Sequence, residues 1–188
     1  MERYALFDWD GTLREGYTLF EWIEFLREKG EILSGEMLRR HDRSRQLAFA
    51  PALFLWLRQR KIRPVVVTGA PVDMIGAYFW EYGISEAYGH RLEVRDGRLT
   101  GRALENCGFH KEQKVEELME RFGGPPVLAA GDSDSDLPLL LAAGTALVVG
   151  GRREVAALVP GSHCVPRDIS GSDLIQNLEK WIGECETI

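Results

Sequence analysis

Asp8 and Asp10 stand two residues apart at the end of a short apolar run, in the stretch YALFDWDGTL over residues 4–13. Two carboxylates so close repel each other, and partial burial raises the cost of ionising both. A second acidic pair, Asp132 and Asp136, falls in GDSDSDLPLL, again directly after an apolar run. Between the two pairs, PVVVTGA over residues 64–70 carries Thr68 and Gly69 at its end. Taken singly, each fragment has an ordinary explanation: aspartates favour turns and helix caps, and acidic residues complement a helix start. Their order at successive strand ends is what points to chemistry. So dense a set of aspartates repels itself unless a hard divalent cation sits inside it. Oxygen ligands alone, with no His or Cys near, favour Mg2+. Gly11, Gly69 and Gly131 let backbone N–H groups approach a ligand closely.

The elements that must position these residues alternate in type. YALF (residues 4–7) reads as a buried strand. Thr18 and Glu21 have capping-box spacing before Leu19, Trp22, Ile23 and Leu26, which recur at helical intervals and predict a helix ending near Gly30. A second helix is expected over about residues 34–46, and a third from Pro51 with Leu53, Phe54 and Leu57 on one face. The β-branched run at residues 64–70 predicts a second strand, and Pro71 opens a helix through Tyr82. Residues 89–102 alternate around Asp96-Gly97, the strongest hairpin signal in the chain. A helix over residues 111–122 turns Val115, Leu118, Met119 and Phe122 inward. Residues 126–132 and 146–151 predict two more core strands, residues 163–165 a weaker one, and residues 172–181 the last helix. Short apolar strands alternating with helices indicate an α/β, doubly wound (Rossmann-like) parallel sheet covered on both faces. The expected organisation is a catalytic core of residues 1–13 and 63–188, with the hairpin near 89–102, and a helical cap of residues 14–62. In such sheets ligands bind outside the carboxyl ends of the strands, where the aspartates and Thr68 fall. Strand alternation turns Trp9 away from that site while Asp8 and Asp10 face it.

The bulk properties narrow the class. A chain of 188 residues with 45% hydrophobic and 28% charged residues is of ordinary globular composition. Its net charge of −6 argues against a general binder of nucleic acid or anionic membranes. No apolar run approaches a membrane span, and Met-Glu-Arg leads straight into the first strand without a signal-peptide pattern. Cys107, Cys164 and Cys185 lie far apart with no metal-ligand or disulfide spacing. These features together predict a soluble cytoplasmic protein without nucleic-acid or membrane partners.

Four segments in order carry a resemblance. DWDGT resembles the DxDx(T/V) first motif of the haloacid dehalogenase-like superfamily. VVVTGA is similar to its second motif, a lysine at the start of a later helix to its third, and GDSDSD to its fourth, GDxxxD. GHRLEVRDGRLTG followed by KVEEL also resembles the subfamily containing phosphoserine phosphatase. The resemblance implies a Mg2+-dependent phosphomonoesterase acting on a small phosphorylated metabolite. In that reading Asp8 is the nucleophile, forming an aspartyl-phosphate, and Asp10 protonates the leaving oxygen and then activates water. Asp8, the Asp10 backbone carbonyl and Asp132 hold Mg2+, with Asp136 supporting the metal shell. Thr68, Gly69 and Lys114 hold the phosphoryl oxygens. Lys114 directly precedes VEEL as the family pattern suggests, and Lys111, one helical turn earlier, is the alternative.

The second aspartate separates two chemistries within that superfamily. A halide leaves without a proton, whereas an alkoxide needs one, so Asp10 favours phosphatase over dehalogenase. A phosphotransferase would use the same parts, and a receiver-like signalling module phosphorylated on aspartate is a reading from another class. Asp10, the GDxxxD motif and the insert all favour the enzyme. The chain departs from the phosphoserine phosphatase pattern at Gly11, at a shorter cap in which Glu15 precedes the usual glutamate position, and at Gly150-Gly151 where Asn-Pro is common. Glu15, Tyr17 and the basic run RRHDRSR (residues 39–45) are candidates for substrate recognition in the cap. Phe20, Trp22, Phe25, Phe49, Phe54 and Trp56 read as cap core.

Overall fold

The computed structural model describes residues 2–18, 21, 46–76, 78–95 and 98–185. Strand β1 (Tyr4–Phe7) is buried along its whole length, and its alternation divides it between two layers. Ala5 and Phe7 join one core with Leu53, Phe54, Leu57, Leu174 and Leu178, while Tyr4 and Leu6 join the opposite core with Val115, Leu118 and Phe122. A strand apolar at every position is what a parallel sheet covered on both faces requires.

Six further strands complete one sheet: β2 (Arg63–Pro71), β3 (Glu86–Arg95), β4 (Arg98–Asn106), β5 (Leu128–Gly131), β6 (Thr145–Val149) and β7 (His163–Val165). Their order is β4-β3-β2-β1-β5-β6-β7. All pairs are parallel except β3 with β4, which form the hairpin expected around Asp96-Gly97. From β1 the chain builds outward through β2 and β3, then crosses back to lay β5 against the other side of β1. That reversal opens a crevice at the carboxyl ends of β1 and β5, where ligands bind in doubly wound sheets.

Among the described residues the helices are α1 (Ala50–Gln59), α2 (Val72–Gly76), α3 (Phe79–Tyr82), α4 (Lys111–Phe122), α5 (Leu137–Ala142), α6 (Arg153–Leu158) and α7 (Gly171–Cys185). Helices α1 and α7 cover one face of the sheet and α4 the other. The expected single helix from Pro71 to Tyr82 is instead two short ones, with Tyr78 between them at φ −102° and ψ −4°. No helix among the described residues is long and apolar enough to cross a membrane.

Helix α1 falls in the span expected as the helical cap. It lies within residues 14–62, yet its apolar stripe of Leu53, Phe54 and Leu57 packs in the same core as Phe7, Val66 and Leu174. Trp56 Nε1 donates to Glu179 on α7 at 2.6 Å, and Arg60 also bonds that carboxylate. Phe49, Phe54 and Trp56 are therefore sheet-covering core, because the buried surface they need is offered by β1 and β2. Thr18 and Glu21, spaced as a capping box, direct their side chains to Asp10 and Arg14 respectively. The two helices expected over about residues 18–46, the aromatic residues Phe20, Trp22 and Phe25, and the basic run at 39–45 lie outside the described residues, apart from Thr18, Glu21 and Gln46.

Candidate active site

Three strand ends meet in one cleft. Asp8, Asp10, Tyr17, Thr68, Gly69, Gly108, Lys111, Asp132, Ser133 and Ser135 line a cavity of about 180 Å³. That is small beside the roughly 300–1,000 Å³ of sites for drug-sized ligands, and it suits a compact headgroup. Asp8 and Asp10 follow β1, Thr68 and Gly69 lie in the second half of β2, and Asp132 follows β5. Apart from the exposed Arg63 that opens β2, each strand is buried up to that point, and the polar residues follow at the carboxyl rim of the sheet. Trp9, between the two aspartates, turns into the core and meets Tyr78 with ring centroids 5.3 Å apart.

Lys111 is the electrostatic centre. Its Nζ donates to Asp8 Oδ1 at 2.7 Å and to Asp136 Oδ1 at 2.6 Å. All three side chains are buried. Burial alone works against the Lys111 ammonium, but Asp8 and Asp136 outweigh it and hold the proton firmly. Burial pushes Asp8 up to about 7, with Asp136 adding to the rise and Lys111 opposing it. Thr12 Oγ1 donates to the other Asp8 oxygen at 3.3 Å.

The lysine expected at the phosphate, Lys114, does not line this cleft. Its Nζ lies 4.4 Å from the ring centroid of Tyr88 and pairs with Glu117 on the outer face of α4. The reason is periodicity. Lys111, Val115, Leu118 and Phe122 are the buried residues of α4, at intervals of four, three and four, so Lys111 continues the apolar stripe toward the sheet. Lys114 sits off that stripe. The inward-facing stripe of Val115, Leu118 and Phe122 extends by one turn to Lys111.

Asp136 is fully buried and organises its own loop. Its Oδ2 accepts the backbone N–H of Asp132 at 2.9 Å and of Ser133 at 3.0 Å, and the Ser133 hydroxyl at 3.0 Å. Carboxylate oxygens of Asp8, Asp132 and Asp136 lie within 4.8 Å of one another. Three buried carboxylates against Lys111 and Arg167 form an oxygen-only donor set that remains net negative, and that set fits a hard cation such as Mg2+. Burial raises Asp132, with Asp136 adding to the rise and Arg167 opposing it. Gly11 makes room for this arrangement: its φ is +78°, and a Cβ there would fall 2.3 Å from Asp132 Oδ2.

Asp10 points the other way, toward the start of the insert. Its Oδ2 accepts the Thr18 backbone N–H at 2.8 Å, and its Oδ1 accepts the Thr18 hydroxyl and, at 3.4 Å, Arg14 Nη1. Arg14 is buried and also donates to Glu21 at 3.0 Å. Burial raises the Asp10 carboxyl, while the Thr18 and Arg14 bonds pull it down. Thr68 is fully buried and its hydroxyl accepts the Ala70 N–H at 3.1 Å. Tyr17 lines the cleft whereas Glu15 does not. Sequence reasoning missed Thr12, Arg14, Thr18, Ser133, Ser135 and Arg167. The two serines stand inside the GDSDSD motif and follow from it, whereas Arg14 and Arg167 belong to no pattern.

The family model described as haloacid dehalogenase-like hydrolase matches residues 35–141. A phosphoserine phosphatase of Halobacterium salinarum is 32% identical over 149 residues, which cover 74% of this chain and 68% of that protein. A phosphoserine phosphatase of Archaeoglobus fulgidus is 29% identical over 147 residues, 74% of this chain and 43% of that protein. Among solved structures, a phosphoserine phosphatase in apo form shares the fold, with a TM-score of 0.71 at 18% identity over 94% of this chain and 98% of that one. The chain belongs to the haloacid dehalogenase-like hydrolase family and is a hydrolase similar to phosphoserine phosphatases.

Proposed function

We propose that this hydrolase cleaves the phosphomonoester of a small metabolite by transferring the phosphoryl group to Asp8 and then to water. The observation that carries the reading is Lys111, held by Asp8 and Asp136 at the mouth of β1 with Asp10 two residues away. Phosphoryl transfer asks a protein mainly to position the reactants and neutralise spreading negative charge. Asp8 attacks phosphorus, and the bond from phosphorus to the alcohol oxygen breaks. Asp10 gives its proton to that leaving oxygen. Asp10 then takes a proton from water, whose oxygen attacks phosphorus and releases the Asp8 carboxylate and inorganic phosphate. Lys111, the Thr68 hydroxyl and the backbone at Gly69 would hold the phosphoryl oxygens. Asp8, the Asp10 carbonyl and Asp132 would hold Mg2+, and Asp136 would fix the loop that carries Asp132. When bound, the cation offsets the charge of the carboxylates and of the phosphate they must receive.

The names of the relatives make phosphoserine the first substrate to assay, and the small cleft accords with a compact phosphoester. The test is hydrolysis of p-nitrophenyl phosphate and phosphoserine with Mg2+ and with EDTA. Turnover that requires Mg2+ and disappears in Asp8→Asn supports the reading. Full turnover in Asp8→Asn overturns it.

A further inference from the structure

Arg167 reaches the site from the loop after β7, at the edge of the sheet, and touches both loops that carry the acidic residues. Its Nη2 donates to Asp132 Oδ2 at 3.1 Å, and its Nε donates to the Gly11 carbonyl at 3.3 Å. The chain makes space for it at Gly150, where φ is +83° and a Cβ would stand 3.1 Å from Arg167 Nε. One planar guanidinium thus joins the turn after β1 to the turn after β5. A lysine ammonium is a point charge and lacks the two-pronged geometry needed to serve both acceptors.

We propose that Arg167 is a positioning residue for cation binding: by fixing Asp132 Oδ2 and the Gly11 carbonyl together, it aims the remaining Asp132 oxygen at the cluster with Asp8 and Asp136. The inference rests on the reading that this cluster holds Mg2+. Two effects of Arg167 on a cation oppose each other. Its positive charge repels the cation, whereas its hydrogen bonds pre-orient a ligand. Partners that orient metal ligands in this way typically carry about 10–100-fold in metal affinity. Simple repulsion has the opposite sign, so the direction of the effect separates the two roles.

The experiment is calorimetric titration of MgCl2 into the wild-type protein, Arg167→Met and Arg167→Lys, with no substrate present. Orientation by Arg167 gives about 10-fold weaker Mg2+ binding in Arg167→Met, with Arg167→Lys between that variant and wild type. Unchanged or tighter binding in Arg167→Met, with Mg2+ bound by wild type, overturns the inference and leaves the proposed function standing. A wild-type protein that binds no Mg2+ overturns both.

Discussion

Lys111 and Asp8 form a 2.7 Å ion pair across 103 residues of chain, one at the first turn of α4 and the other at the end of β1. Neither group is stable there alone. Each is buried, and each would lose its hydration without the other. The pair therefore links the fold to the proposed chemistry, since the lysine that steadies Asp8 also stands where a phosphoryl group would arrive.

Replacing Lys111 separates the two lysines of α4. Lys111→Met is expected to lower kcat for p-nitrophenyl phosphate by about 10²–10³-fold, the usual cost of one positioned electrostatic donor. It also leaves Asp8 and Asp136 without their partner, a loss of about 3–5 kcal/mol for a broken buried pair. Lys114→Met, which removes the outer pair with Glu117 and the contact with the Tyr88 ring, should change stability by about 1 kcal/mol or less and leave kcat near wild type. Steady-state kinetics and urea unfolding on both variants check this, and equal losses from the two would count against the assignment.

Asp10 should matter in proportion to the leaving group's need for a proton. Asp10→Asn is expected to slow alkyl phosphates by about 10²–10⁴-fold. In the transfer to Asp8, read as the burst of released alcohol, the loss for p-nitrophenyl phosphate should be much smaller, because nitrophenolate departs unprotonated, whereas the water step that follows is the same for every ester. A series of phosphate esters of graded alcohol acidity, followed through that burst, measures the slope, and a uniform loss of burst rate across the series would remove Asp10 from protonation of the leaving oxygen.

Gly11→Ala tests the close approach between the two acidic loops. The new Cβ would fall 2.3 Å from Asp132 Oδ2 at a φ of +78°. The backbone strain alone is of order 1–2 kcal/mol. Asp132 must move as well, so Mg2+ affinity should fall by at least about 10-fold. Titration of MgCl2 followed by calorimetry reads the change.

Helix α1 behaves as part of the sheet's covering layer, and Leu57 is fully buried on it. Leu57→Ala is expected to lower the stability of global unfolding by about 2–5 kcal/mol, the range for large-to-small core changes. Urea denaturation followed by far-UV circular dichroism would show one cooperative transition shifted to lower urea. A shift confined to a minor early transition would place α1 in a separately folding insert.

The clamp between α1 and α7 gives a pH dependence with a definite sign. Arg60 and Trp56 hydrogen-bond Glu179 and hold its carboxyl below the ordinary value of 4.5, against a small opposing effect of burial. A carboxyl depressed in the folded state adds stability above its unfolded pKa and loses it as pH falls through the folded one. Glu179→Gln should therefore be less stable than wild type at pH 7, with the gap closing below pH 4.5. Thermal melts of both proteins across that range measure it; a gap independent of pH would mean that Glu179 acts by packing alone.

Much of the site was legible because each of its strand-borne residues follows a run that can only be buried. Asp8, Asp10, Thr68, Gly69 and Asp132 stand at the ends of short apolar runs, and the cleft assembles them. Lys111 was legible in principle, since it extends the Val115, Leu118, Phe122 stripe by one turn. A linear motif pattern preferred Lys114, because such a pattern counts residues and carries no helix face. Arg14 and Arg167 left no periodic trace. Each lies in a loop, and its partners are chosen by where the loop passes.

By itself the sequence determined the alternation of strands and helices, the parallel sheet, and the type and order of the acidic residues at the strand ends. Those follow from local rules: burial of apolar runs, helical spacing, and turn chemistry. Tertiary structure alone decided that α1 covers the sheet, that Lys111 faces Asp8, and that Arg167 spans from Gly11 to Asp132. These depend on contacts between segments tens to more than a hundred residues apart. Such contacts are fixed by the competition of whole surfaces for burial, which no short stretch of residues contains.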